Sequence, residues 1–239
     1  MAALMAALSA HATACADMTA VPPTPVPAAV EGASVESFVT ADWLKLDARL
    51  FPGPQQRLVI LLHMYAADQT AWFDFARALQ AEGREAVLTF DFRGYGASDG
   101  PKDPDRIGLD VRAAIAFARG RGYQSIALVG ASMGGTAALI DAPQASVAGV
   151  LAISAPGQFG SLDAEAVVAQ VRVPLALLAS RGDTAAAESL QAMGKLANLD
   201  PGCLVLYDGA EHGTTMLTGA HGVEVRRQLR ALLDWIWPQ

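Results

Sequence analysis

The stretch ALVGASMGG, from Ala127 to Gly135, decides how this chain is interpreted. The stretch begins with an apolar run typical of a buried strand, and the TAALI pattern that follows it, residues 136–140, is helical. Ser132 therefore lies at a strand-to-helix turn, with Gly130 two residues before it and Gly134 two residues after it. Such a serine is either an ordinary turn residue or a nucleophile presented by the turn, and the rest of the sequence distinguishes the two.

The composition indicates a compact globular protein. The chain has 239 residues, of which 52% are hydrophobic and 17% charged, so it can bury one large core. Its net charge of −7 leaves no broad basic surface, and no nucleic-acid partner is expected. Cys15 and Cys203 show no metal-ligand or disulfide spacing. No metal or organic cofactor is expected, and the sequence leaves the oligomeric state unknown.

The amino-terminal segment differs from the rest of the chain. Residues 1–15 are apolar and alanine-rich, which predicts an export signal ending in a lipobox-like ATAC, with a lipid anchor on Cys15. Residues 16–33 contain VPPTPVP and predict an extended linker. These features favour an exported, periplasmic or membrane-anchored lipoprotein. A disordered leader on a cytoplasmic protein is the alternative, because Ala12 stands where leucine is usual and no Lys or Arg lies near the start.

From residue 34 to residue 239, short apolar runs alternate with helical patterns. This alternation predicts one α/β domain with a mostly parallel sheet and helices on both faces. Residues 34–40 and 44–51 are more polar and alternating, which favours antiparallel strands at the amino-terminal edge of the sheet. The closing segment, 223–237, places these residues on one helical face: Val225, Leu229, Leu232, Leu233 and Ile236.

Three chemically complementary residues each lie just past the carboxyl end of a predicted strand. A serine hydroxyl is a weak nucleophile near neutral pH, so it needs a histidine base and a carboxylate that fixes the tautomer of that base. Ser132 follows SIALVG, Asp183 follows LALLAS and His212 follows CLVLY with its short loop. The carboxyl ends of parallel strands meet at one edge of the sheet, which predicts that the three side chains converge.

Other loop residues compete for two of these roles. Asp163, Asp200 and Asp208 are alternatives for the orienting acid, and Asp208 is the strongest because it follows the last strand closely. His221 is the alternative for the base, although it lies deeper in the loop before the closing helix. These alternatives stay open on the sequence alone.

The chain resembles the α/β-hydrolase superfamily from about Val35 to Gln239. The elbow GASMGG and the order serine, then aspartate, then histidine carry the resemblance. It implies an α/β-hydrolase fold like that of the small cap-less esterases and the dienelactone-hydrolase-like proteins. Dienelactone hydrolases themselves use cysteine, so Ser132 argues against that particular activity.

The resemblance also implies an oxyanion hole. Met133, directly after the nucleophile, is expected to provide one backbone N–H donor. Family members often have His-Gly-X in the loop after the third strand, and this chain has His63, Met64 and Tyr65 there. The second donor is Met64 or Tyr65, with Tyr65 favoured by its position, and His63 is expected to be a hydrogen-bonded scaffold residue.

The short segment between two late strands bears on the substrate. Residues 157–172 lie where relatives insert a cap, and they are too few for a lid domain, so an open site is expected. Met64, Trp72 and Phe159 are predicted to contact the substrate, with plain core packing as the alternative for the aromatic residues.

The resulting functional prediction is hydrolysis of small-molecule carboxylic esters through an acyl-enzyme. A thioesterase, a peptidase or an acyltransferase using the same triad is one alternative, because the triad fixes neither the leaving group nor the acceptor. A non-catalytic, envelope-tethered binding protein with a hydrolase fold is the other.

Overall fold

A computed structural model of the chain describes residues 29–54, 56–65 and 67–238. The predicted signal segment with Cys15, and the linker as far as residue 28, lie outside the described residues. The strands are β1 (Ser34–Val39), β2 (Lys45–Phe51), β3 (Arg57–Leu62), β4 (Ala86–Phe90), β5 (Ser125–Ala131), β6 (Gly149–Ile153), β7 (Gln158–Phe159), β8 (Leu162–Asp163), β9 (Leu175–Ser180) and β10 (Leu204–Tyr207). The helices are α1 (Phe73–Glu82), α2 (Ile107–Gly120), α3 (Met133–Ala145), α4 (Thr184–Leu196) and α5 (Gly222–Ile236).

Eight of these strands form one sheet, in the order β1-β2-β4-β3-β5-β6-β9-β10. The strands from β4 to β10 in this order pair in parallel, whereas β2 is antiparallel to both β1 and β4. The predicted mostly parallel sheet with an antiparallel amino-terminal edge is therefore confirmed.

Successive side chains of a strand point to opposite faces of the sheet, so each central strand contributes to a core on both faces. Along β3, Leu58, Ile60 and Leu62 pack into the core under α2, α3 and α4, whereas Val59 and Leu61 pack into the core under α1 and α5. All five side chains are fully buried, as expected for a central strand covered on both faces. The helices on both faces are confirmed.

The packed region begins slightly before residue 34. Val30 is buried in the core beneath α1 and α5, and its carbonyl accepts a hydrogen bond from the Ala33 N–H at 3.0 Å. The last residues of the predicted linker thus already belong to the domain, because an apolar side chain there completes one edge of the core.

Only small elements connect β6 to β9. The described chain forms the two-residue strands β7 and β8 and a single 3₁₀ turn, Val168–Gln170, in this interval. This arrangement agrees with the prediction that the domain carries no cap. Within the described residues, no helix is both long and apolar enough to span a bilayer.

Candidate active site

Ser132 lies at a strained turn between β5 and α3. Its backbone has φ 50° and ψ −119°, a conformation that costs a non-glycine residue on the order of 1–3 kcal/mol. The Ser132 N–H donates to the Ile153 carbonyl at 2.8 Å, and its own carbonyl accepts from the Thr136 N–H at 3.0 Å. Helix α3 therefore begins directly after the serine, three residues before the TAALI pattern.

The glycines around Ser132 are required by close backbone contacts. A Cβ on Gly130 would lie 2.3 Å from the Gly134 carbonyl oxygen, and one on Gly134 would lie 2.4 Å from the Leu62 carbonyl oxygen. Real side chains do not make such contacts with backbone atoms. Strand β5, the first turn of α3 and the end of β3 can approach this closely only because the side chains are absent.

Asp183 and His212 are hydrogen-bonded to each other. His212 Nδ1 lies 2.7 Å from Asp183 Oδ2. A carboxylate can only accept a hydrogen bond, so the Nδ1 proton is donated to it and Nε2 is left as the acceptor, as a general base requires. The rival Asp208 is 85% exposed and lies 3.4 Å from Arg181 Nε, and the rival His221 packs its ring near Tyr207 instead.

The loop that follows His212 contacts the serine turn. A Cβ on Gly213 would lie 3.5 Å from the Ala131 Cβ and 2.8 Å from the Met64 sulfur, so the residues next to His212 and Ser132 are neighbours. The Thr215 hydroxyl accepts from the His212 N–H at 3.0 Å and donates to the His212 carbonyl at 2.8 Å. Among the described residues, the Ser132 hydroxyl makes no hydrogen bond to His212, a contact that in unliganded sites often tightens only with substrate.

His63 is a buried scaffold residue. Its Nδ1–H donates to the Met64 carbonyl at 2.9 Å, and its Nε2 accepts from the Phe92 N–H at 3.0 Å. Desolvation lowers the pKa of His63 to about 4, so the ring is neutral at physiological pH. Both ring nitrogens are engaged, which fits the role predicted for this residue and leaves it no part as a base.

The predicted oxyanion and substrate residues occupy different environments. Met133 is buried as the first residue of α3, where backbone N–H groups have no acceptor within the helix. Tyr65 is half-buried, with its ring centroid 5.7 Å from that of Phe159. The Met64 sulfur accepts from the Thr214 hydroxyl at 3.7 Å. The prediction that Trp72 contacts the substrate is wrong. This side chain is fully buried beneath α1 and α5 and has no surface on which to contact a substrate.

A buried polar network supports the loops beside the site, and most of it was not predicted. The Gln69 N–H and side-chain amide each donate to the Asp91 carboxylate at 2.9 Å. Burial raises the pKa of Asp91 to about 6. Nearby, the Arg93 guanidinium lies 2.6 Å from the buried Asp110 carboxylate and 2.8 Å from that of Asp42. Gln69, Asp110 and Asp42 lie far from Asp91 and Arg93 in sequence, so no local pattern predicts these contacts.

The sequence comparisons identify the family. A family model described as the alpha/beta hydrolase family matches residues 59–236. The match covers well over half of the 239 residues, and this chain therefore belongs to the alpha/beta hydrolase family. The resemblance predicted from the elbow and the residue order is confirmed. Among curated proteins, no sequence gives a match.

Solved structures show the same fold. The esterase Pf2001 from Pyrococcus furiosus has a TM-score of 0.75 and 20% identity, over 89% of this chain and 98% of that chain. An alpha/beta serine hydrolase without a lid from Xanthomonas campestris has a TM-score of 0.64 and 19% identity, over 90% and 99%. The alpha/beta hydrolase GrgF from a Penicillium species has a TM-score of 0.69 and 18% identity, over 84% and 97%.

Proposed function

We propose that the protein hydrolyses carboxylic esters through an acyl-enzyme, with Ser132 as nucleophile, His212 as general base and Asp183 as the orienting acid. The hydrogen bond of 2.7 Å between His212 Nδ1 and Asp183 Oδ2 carries this proposal. It leaves Nε2 free on a ring whose loop contacts the serine turn, which is the arrangement that proton transfer from a serine requires.

The proposed reaction has two proton transfers at one histidine. Ser132 Oγ attacks the ester carbonyl while His212 Nε2 takes the hydroxyl proton, which it then gives to the departing alcohol. Water attacks the acyl-enzyme by the reverse route and releases the acid. The N–H of Met133 and the N–H of Tyr65 are proposed to stabilise the negatively charged oxygen of each tetrahedral intermediate.

Two observations favour esters as the substrate class. The described chain between β6 and β9 forms only a small hairpin and a 3₁₀ turn, so the site is open on that side. The Pyrococcus furiosus protein is described as an esterase, and the Xanthomonas campestris protein as a serine hydrolase without a lid. An open site on this fold suits small esters better than it suits substrates that need an enclosing lid.

The test is Ser132→Ala, with Ser37→Ala as the matched control. Ser37 is an exposed serine on the edge strand β1, far from the site in the sheet order. We expect Ser132→Ala to lose on the order of 10⁶-fold in kcat with p-nitrophenyl acetate and to lose labelling by a fluorophosphonate probe. Ser37→Ala should keep both. Near-normal turnover by Ser132→Ala would contradict the proposal, and a panel of esters, thioesters and peptides would identify the preferred leaving group.

A further inference from the structure

Lys102 places a positive charge beside the candidate oxyanion hole. Its ammonium nitrogen lies 4.2 Å from the ring centroid of Tyr95 and 5.8 Å from that of Tyr65. The Tyr95 hydroxyl in turn lies 4.0 Å from the sulfur of Met133. The ammonium thus lies near the ring of Tyr65, one of the two residues proposed to hold the oxyanion, and the Tyr95 ring lies between it and the side chain of Met133, the other.

The fold fixes the position of Lys102. Gly94 has φ 73°, and a Cβ on it would lie 2.2 Å from the Lys102 backbone nitrogen, so the loop after β4 turns back closely onto this residue. The aromatic faces then hold the side chain through cation–π contacts. The lysine is exposed to solvent, so its charge is accessible to a ligand that reaches the Tyr65 ring.

The acidic residues that follow Lys102 in sequence contact other groups. No ion pair of the described residues includes Lys102, although acidic residues outnumber basic ones by 24 to 17 in the chain. The adjacent Asp103 lies 3.6 Å from Arg106, and Asp105 accepts from the Ser161 N–H at 2.7 Å. Burial raises the pKa of Tyr95, so the phenol beneath the ammonium stays neutral.

The field of this charge reaches the floor of the site. Burial is the main cause of the lowered pKa of His63, while the hydrogen bond to the Met64 carbonyl and the negative charge of Asp68 raise it and the positive charge of Lys102 lowers it. A negative group on a substrate in the open site would meet the same field with less protein between the charges.

We propose that Lys102 forms an anion subsite that selects esters carrying a carboxylate close to the scissile carbonyl. This inference rests on the proposed ester hydrolysis by Ser132 and names its substrate class. The competing role for Lys102 is purely structural, namely to hold the loop after β4 against Tyr65 and Tyr95.

Matched substrates separate the two roles. The first pair is mono-p-nitrophenyl succinate and p-nitrophenyl butyrate, which differ in a carboxylate on the acyl side. The second pair is p-acetoxybenzoate and its methyl ester, which differ in a carboxylate on the alcohol side. For each pair, the ratio of kcat/KM values is measured at low and high salt for wild type, Lys102→Met, Lys102→Arg and Lys195→Met. Lys195 lies at the far end of α4, so its variant makes the same charge change away from the site.

We expect Lys102→Met to lower the charged-to-neutral ratio by about fivefold in at least one pair, which is the size expected for one partly screened charge. High salt should shrink this effect. Lys102→Arg and Lys195→Met should leave the ratio close to that of wild type. The pair that responds shows which side of the ester carries the carboxylate.

Two results overturn the inference in distinguishable ways. If Lys102→Met slows charged and neutral esters equally, or changes neither, the lysine has only the structural role or none, and ester hydrolysis still stands. If wild type hydrolyses none of the four esters, the proposed function fails and the anion subsite fails with it.

Discussion

The nucleophile side and the base side of the candidate site hold their side chains by different means. Every residue from 130 to 135 is buried, and Ser132 is 7% exposed, in a turn fixed by backbone contacts. The His212 side chain is 45% exposed and is held by its bond to Asp183 and by one short loop. The position of the serine is thus a property of the fold, whereas the position of the histidine depends on a few hydrogen bonds. Apart from Ser132, whose hydroxyl is the proposed nucleophile, residues on the first side should affect stability when substituted, and those on the second should affect activity.

Of the two sides, the base side should show the larger effect, which is a loss of kcat. We expect Asp183→Asn to lower kcat by about 10⁴-fold, because an amide no longer holds His212 in the tautomer that accepts the serine proton. The free energy of unfolding should change by less than about 1 kcal/mol, because no core contact is lost. The measurements are kcat with p-nitrophenyl acetate and urea unfolding.

Asp208→Asn is the control for Asp183→Asn. Asp208 is 85% exposed and lies near Arg181 rather than His212, so its variant should keep wild-type activity. A larger loss of activity in Asp208→Asn than in Asp183→Asn would assign the orienting role to the rival carboxylate.

A substitution that crowds the turn on the nucleophile side should lower the free energy of unfolding. In Gly134→Ala, the new Cβ would meet the carbonyl oxygens of Leu62 at 2.4 Å and His63 at 2.7 Å, and backbone cannot move aside without separating α3 from β3. We expect a loss of about 3 kcal/mol in the free energy of unfolding, measured by urea denaturation. Gly120→Ala is the matched control, because a Cβ there meets no atom within 4 Å at the end of α2. Equal stabilities of the two variants would refute the distinction between the two sides.

The same difference explains what the sequence could reveal. Ser132, Asp183 and His212 could be proposed as a set because each lies just past a short apolar run, and the carboxyl ends of parallel strands share one edge. The glycines at 130 and 134 signal the turn because no other residue fits it. The regular alternation of strands and helices, together with this spacing, was enough to predict the fold.

Contacts between distant segments could not be predicted in this way. Gln69 and Asp91 are 22 residues apart, and nothing local shows that a glutamine in a 3₁₀ turn bonds a buried aspartate. Trp72 was predicted to contact the substrate, with core packing as the alternative, and the 3₁₀ turn Gln69–Trp72 directs it into the core beneath α1 and α5. The side of the sheet to which a loop side chain turns is decided by packing, and hydrophobicity alone does not reveal it.

A buried carboxylate on α3, that of Asp141, should make the free energy of unfolding depend on pH. Burial raises the pKa of Asp141 to about 6 from 3.8, although Arg112 donates to one carboxylate oxygen, while the other oxygen has no partner among the described residues. The folded state therefore binds the proton more tightly than the unfolded state does. The contribution of this proton to the free energy of unfolding is fully present below about pH 4 and is lost as the pH rises through about 6. We expect a decrease on the order of 2 kcal/mol over this range from Asp141 alone.

Asp141→Asn tests this pH dependence by urea unfolding at several pH values. Asp91, with a pKa of about 6, titrates over the same range, so the relevant quantity is the difference between the wild-type and variant curves. That difference should vary by about 2 kcal/mol between pH 4 and pH 7. Asp200→Asn, at an exposed carboxylate, should run parallel to wild type. A constant difference for Asp141→Asn would mean that this carboxylate does not titrate in the folded protein.

The smallest expected effect concerns the loop that carries His212. The Thr215 hydroxyl bonds both the N–H and the carbonyl of His212, so Thr215→Val removes two contacts that orient the base without touching the ester. A hydrogen bond contributes about 1 kcal/mol to holding the groups that it joins. If this energy no longer holds His212 in its orientation for proton transfer, kcat should fall by about five- to tenfold. The KM and the free energy of unfolding should change little, because the Thr215 side chain is exposed and makes no core contact. Thr218→Val removes only one hydroxyl contact of 3.3 Å, to the Thr215 carbonyl, and should keep wild-type kcat. If Thr215→Val instead lost stability at unchanged kcat, the base side would be built into the fold as firmly as the nucleophile side.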